Sequence, residues 1–147
     1  MGLRYLLDTS VFSQPIRPRP LPACRRRWQL HGDAKLAVPT VAIAEIEHGL
    51  FLKNSDKLWT AYRTILKDRL AAFDFTASVA TVFGEMKSRQ AQLGKPIDDF
   101  DLAIAATAVA HDLTVATLNT RHFRMIDGLQ WEDWSEMPDE GGGIRIA

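Results

Sequence analysis

Short apolar runs, each closed by a polar or acidic residue, alternate along this chain with segments of helical period. That alternation restricts the fold more than any other feature. The run "YLL" (5–7) stops on Asp8, and Thr9 and Ser10 read as a polar turn before Val11 and Phe12 resume the apolar pattern. "AKLAVPT" (34–40), "AAFDF" (71–75), "LTVATLN" (113–119) and "LQWEDW" (129–134) are the other strand candidates. Between them lie helices. One covers 23–30 and ends at Gly32; another is capped by Thr40, runs through "VAIAEIEHGL", and is weakened or stopped by Gly49. A third, capped by Ser55, lines up Leu58, Tyr62, Ile65, Leu66 and Leu70. A fourth carries Val79, Val82, Phe83 and Met86 and stops at Gly94, and "DDFDLAIAATAVAHD" (98–112) is a fifth, rich in alanine. Strands separated by helices form a parallel sheet with helices on both faces. Ligands of such sheets bind beyond the carboxyl ends of the strands. Asp8 stands at one of those ends.

A length of 147 residues suits one such unit. We expect a domain over 1–135 and a flexible tail over 136–147, where "GGG" breaks any packing pattern. Cys24 is the only cysteine, so an intrachain disulfide or cysteine-rich zinc site is excluded and a reducing, cytoplasmic setting is expected. No run approaches the ~18 apolar residues of a membrane span, so no membrane association is expected. Basic and acidic residues balance at 18 each, which does not advertise a polyanionic partner. The distribution is uneven, however. Arg17, Arg19, Arg25, Arg26 and Arg27 crowd one passage, while "PIDDFD" (96–101) holds Asp98, Asp99 and Asp101. A basic rim near an acidic pocket suits a polyanion held over cations; a solvated helix face explains the arginines equally well.

Four residues are carried to one edge of such a sheet. Asp8 ends the first strand, Glu45 lies early in the helix after the second, Asp101 opens the alanine-rich helix, and Asn119 ends the late strand. Each also has a purely structural reading. Asp8 can cap the following turn, a role worth about 0.3–1 kcal/mol. Asp101 follows Asp98 by three residues, as in a helix-capping pair. Glu45 lies on the face with Val41, Ala44 and His48, opposite Ile43, Ile46 and Leu50, which places it at the core boundary. Asn119 alone is an ordinary turn residue. Three carboxylates brought close together repel, and a divalent cation removes that cost. Oxygen donors alone favour Mg²⁺ or Mn²⁺, the ions used to hydrolyse phosphodiesters.

These stretches together resemble the PIN-domain ribonucleases, and in particular the VapC-type toxins of toxin–antitoxin pairs. "YLLDTSVFS" is similar to the family's opening strand and DT(N/S) turn. "PTVAIAEIEHGL" is similar to its helix with a Glu four residues before a Gly, which selects Glu45 over Glu47. "GKPIDDFDLAIAATAVAHDLTVATLNTRHF" resembles the central stretch in which the Asp of D-x-x-I-A-A binds metal, which selects Asp101. The resemblance implies a three-layer α/β/α sandwich around a parallel sheet and Mg²⁺- or Mn²⁺-dependent endoribonuclease activity. It also implies a homodimer, and a cognate VapB-like antitoxin that covers the acidic pocket, often by inserting an arginine.

Under that resemblance Asp8 and Asp101 are ligands of the metal, directly or through water. Glu45 binds metal through water or orients the attacking water. Asn119 and the hydroxyls of Thr9 and Ser10 hold the site's shape. Two departures lower the pocket's negative charge: Asn119 takes the fourth acidic position of many PIN domains, and His122 stands where an acid often follows. Trp59 adjoins the inward positions of its helix and is a candidate for a dimer or antitoxin groove. Trp131 and Trp134 read as core or edge packing. The alternative is a degenerate PIN domain that binds RNA or a protein without cutting. Aspartyl-phosphate chemistry fits poorly, because no acid precedes Asp8 and Ser10 stands where a phosphatase needs a second Asp.

Overall fold

The computed structural model describes residues 2–139. Five strands, β1 (Tyr5–Leu7), β2 (Leu36–Pro39), β3 (Ala71–Phe73), β4 (Thr114–Thr117) and β5 (Trp131–Asp133), form one sheet in the order β3-β2-β1-β4-β5. Every pairing is parallel, with Tyr5 in register with Leu36 on one side and Thr114 on the other. The helices are α1 (Thr9–Phe12), α2 (Pro22–His31), α3 (Thr40–Lys53), α4 (Asp56–Ile65), α5 (Ala77–Gln92), α6 (Asp99–Ala110) and α7 (Thr120–Phe123). The expected three-layer sandwich with a parallel sheet is what forms.

Alternation along the strands feeds two cores. Tyr5 and Leu7 face a cluster with Leu36, Val38, Ala42, Ile46, Tyr62 and Trp134, built by α1 to α4. Leu6 faces the other way, into a cluster with Ala37, Leu102, Ile104, Ala105, Val115 and Phe123, closed by α6 and α7. The central strand is therefore wholly buried, as both-faced parallel sheets require. The alanines of α6 let it lie close on the sheet, and residues 102–108 are all buried.

Several local expectations needed revision. Gly49 does not stop α3, which continues to Lys53 and is closed by Asn54 in the left-handed region at φ 47°, its N–H donating to Leu50 O. Burial of Ala42, Ile46 and Leu50 on one face outweighs the modest helix cost of one glycine. Thr40 lies inside the helix, and the capping position belongs to Pro39. Ser55 does cap α4, accepting from Leu58 N–H, yet Ile65 of that helix is exposed. The turn after Asp8 is a full helical turn, α1, and α7 has no counterpart in the periodic pattern. Trp134 is fully buried, so the packed unit runs at least that far. Of the expected flexible tail, residues 140–147 lie outside the described residues, and the carbonyl of Glu136 accepts from Arg27 Nε at 2.7 Å.

Candidate active site

The end of β1 delivers Asp8 to the carboxyl edge of the sheet with only 4% of its surface exposed. Its backbone N–H still donates to Ala116 O of β4, so the residue is tied into the sheet it terminates. Oδ1 accepts from Val11 N–H at 3.0 Å and from the Ser10 hydroxyl at 2.5 Å; Oδ2 accepts from the Thr117 hydroxyl at 2.5 Å. The capping role and the buried-acid role thus coexist in one side chain. Burial pushes the carboxyl up from 3.8 to about 6, the three donors pull it back, and the charge of Asp101 pushes it up further.

Glu45 reaches the same edge from the first turns of α3. Thr9, next to Asp8, donates its hydroxyl to Glu45 Oε1 at 2.8 Å. Partial burial raises the Glu45 carboxyl above its ordinary value, the Thr9 bond opposes this, and the charges of Asp101 and Asp98 add to the rise. Asp101, in the first turn of α6, is therefore near enough to act electrostatically on both other acids. Its Oδ2 meets His122 Nδ1 at 2.5 Å. Asp98 caps α6, accepting from the N–H groups of Phe100 and Asp101, which leaves the Asp101 side chain for other partners. Asn119 is exposed and makes no side-chain cap to α7; its backbone N–H donates to Thr117 Oγ1 at 2.9 Å.

Three of the four sequence-selected residues are coupled here, and Asn119 adjoins them through its backbone. Thr117 escaped sequence reasoning, and His122, noted there only as a departure from an acid, is found paired with Asp101. Thr117 lies 109 residues from Asp8 and looks like any β-branched strand residue. The Ser10 hydroxyl also accepts from Leu118 N–H at 3.0 Å, so two hydroxyls stitch the ends of β1 and β4 together around one carboxylate. Thr117→Val should cost about 1–3 kcal/mol, because it strips a donor from a buried charge and an acceptor from Asn119 N–H. Chemical denaturation against wild type checks this. Equal stability would show that the hydroxyl supports nothing.

The donor set is carboxylate oxygen, as a hard cation wants, and a cation would offset the burial of charge, and the smaller repulsion, that raise Asp8 and Glu45. Among the described residues, no three His, Cys, Asp or Glu side chains stand close enough to form a ready cage. Mg²⁺ needs no such cage, since it is commonly bound by one or two carboxylates and its own waters. A cleft of about 350 Å³ lined by Gln14, Cys24, Arg25, Trp28 and Arg69 contains none of the four residues. The arginine-rich passage divides: Arg27 is bound to Glu132 at 2.7 Å and Arg17 to the Ser13 hydroxyl, while residues 17–21 are exposed.

Comparison with known proteins converges on one family. The PIN domain description matches residues 5–129. The tRNA(fMet)-specific endonuclease VapC of Shigella flexneri is 30% identical over 133 residues, spanning 90% of this chain and 99% of that protein. Among solved structures, FitAcB from Neisseria gonorrhoeae superposes with a TM-score of 0.80 at 27% identity, covering 88% of this chain and 97% of the other. DNA-bound VapBC from Salmonella typhimurium does so at 0.78 and 26%, covering 90% and 98%.

Proposed function

This chain belongs to the PIN-domain family, in its VapC branch, and on that premise we propose that it is a Mg²⁺- or Mn²⁺-dependent endoribonuclease acting as the toxin of a toxin–antitoxin pair. The observation that carries the reading is the buried Asp8 carboxylate, held by three donors and raised chiefly by burial, with a further push from the charge of Asp101. Capping α1 would be served as well by an uncharged side chain, so a buried acid with its proton affinity raised is better accounted for by a cation site. The same observation weighs against a non-cutting relative, whose site would be free to lose these groups.

When bound, a hard divalent cation supplies Lewis acidity, making water a better nucleophile and offsetting charge that grows on the phosphate. Asp8 and Asp101 are the residues that would hold it. Ser10 and Thr117 keep the Asp8 oxygens in a fixed orientation, so little reorganisation accompanies reaction. Glu45 would orient a water and take its proton, a role supported by its raised proton affinity and by Thr9 bonding Oε1. Hydrolysis by water leaves a 5′-phosphate and a 3′-hydroxyl.

A protein partner is part of the same reading, which is supported by a relative 32% identical over 140 residues, Toxin FitB of Neisseria gonorrhoeae. A VapB-like antitoxin covering the acidic edge, and a homodimer, belong to the same proposal. Phe51 and Leu52, 70% and 74% exposed beside Trp59, offer apolar surface for such contacts. No helix among the described residues is long and apolar enough to cross a membrane.

Incubating the purified chain with a mixed RNA pool tests the activity. Fragments with 5′-phosphates should form in Mg²⁺, vanish with EDTA and return with excess Mg²⁺. Retention of RNA on the protein without fragments would leave the non-cutting reading in its place.

A further inference from the structure

Asp101 is held from across the site by a residue with no acidic character. His122 Nδ1 lies 2.5 Å from Asp101 Oδ2, with the side chains 26% and 22% exposed. With the carboxylate oxygen accepting, Nδ1 is the ring nitrogen that carries the hydrogen of this contact. The ring itself is well placed to hold position. Its neighbour Phe123 is 1% exposed and packed in the second core, which anchors the short α7. An acid at position 122 would repel Asp101; the imidazole draws it to one side.

We propose that His122 is the positioning residue of Asp101, its Nδ1–H holding Oδ2 so that Oδ1 is left as the ligand atom offered to the cation. This rests on the metal-dependent nuclease reading above. It makes the histidine a substitute for negative charge: the site gives up one anion and gains a fixed orientation for another. Groups that orient a metal-binding side chain without touching the metal commonly change its affinity by about 10–100-fold when removed.

Three substitutions separate donation at Nδ1 from other roles. His122→Asn places an amide nitrogen as many bonds from the backbone as Nδ1, His122→Gln places one nearer Nε2, and His122→Leu supplies none. Calorimetric titration of the metal-free proteins with Mn²⁺ should show affinity about 10–100-fold weaker for the Leu and Gln variants. The Asn variant should stay within about threefold of wild type. Melting temperatures should differ little across the set, KM for RNA should hold, and kcat lost at low Mg²⁺ should return at high Mg²⁺. In metal-free protein the Nδ1–H proton should give a downfield NMR resonance that disappears in Asp101→Asn.

A Leu variant that binds Mn²⁺ like wild type overturns the inference, as does an Asn variant as weak as Leu. Either result in a chain that cleaves RNA leaves the nuclease reading standing. A wild-type chain that neither binds Mn²⁺ nor cleaves overturns both.

Discussion

Asp8→Asn should abolish RNA cleavage and yet melt at a higher temperature than wild type at neutral pH. The two effects share one cause. The Asp8 carboxyl is raised by burial from 3.8 to about 6 in the folded chain, so the folded state binds its proton more tightly than the unfolded state does. The stability this confers is complete below about pH 4 and is lost as pH rises through about 6. Above that, keeping the buried charge costs roughly 3 kcal/mol, an upper figure since the charge of Asp101 contributes to the rise. Asparagine carries no charge and keeps the shape. Its Oδ1 can accept from Val11 and Ser10 as before. Its amide can donate to Thr117 Oγ1, whose hydrogen turns to the Asn119 carbonyl 3.2 Å away. Thermal unfolding of both proteins should show equal stability near pH 4 and a variant several degrees ahead above about pH 6.5. Saturating Mg²⁺ should narrow the difference by stabilising wild type alone. Cleavage at the wild-type rate by the pure variant would end the assignment of Asp8, and a variant less stable at every pH would end the account of its burial.

Trp134→Ala should cost about 3–5 kcal/mol and lower the melting temperature by roughly 10 °C. Trp134 is fully buried, stands edge-on to Tyr5 at 5.4 Å and stacks with His31 at 5.8 Å. Its indole N–H donates to Glu132 Oε1 at 3.1 Å. The same carboxylate accepts from Tyr5 at 3.0 Å and Arg27 at 2.7 Å. Burial first, and then Glu132, push the Tyr5 hydroxyl up to about 12. Removing the indole therefore opens a large void under β1 and loosens the carboxylate that gathers α2, β1 and β5. Urea denaturation checks the figure. A loss below about 1 kcal/mol would mean that the segment after β5 is an appendage and not part of the core.

The sequence carried the scaffold through local pattern, and the three acids through their places at a strand end and two helix starts, with the family resemblance selecting Glu45 over Glu47 and Asp101 over its neighbours. An apolar run that halts on an acid marked Asp8, and alanines at helical spacing marked the helix of Asp101. The supporting groups have no such pattern. Thr117 matters only because β4 lies beside β1, and nothing in "TVATLN" distinguishes it from a strand threonine that merely fills space. His122 lies in a helix of four residues, too short to show a period. Gly49 misled for the opposite reason: local propensity said stop, and burial of Ala42, Ile46 and Leu50 said continue. Asn119 stands out by its place at the end of a strand, and its side chain is exposed.

β1 is the middle strand of five, and Asp8 keeps a backbone bond to β4 after the strand has ended. Loops and edge strands loosen on their own, whereas a central strand comes apart only when everything else does. On the nuclease reading, Asp8 is therefore in place whenever the chain is folded, and control would fall to whatever covers or leaves the carboxyl edge of the sheet and not to a shift of this strand.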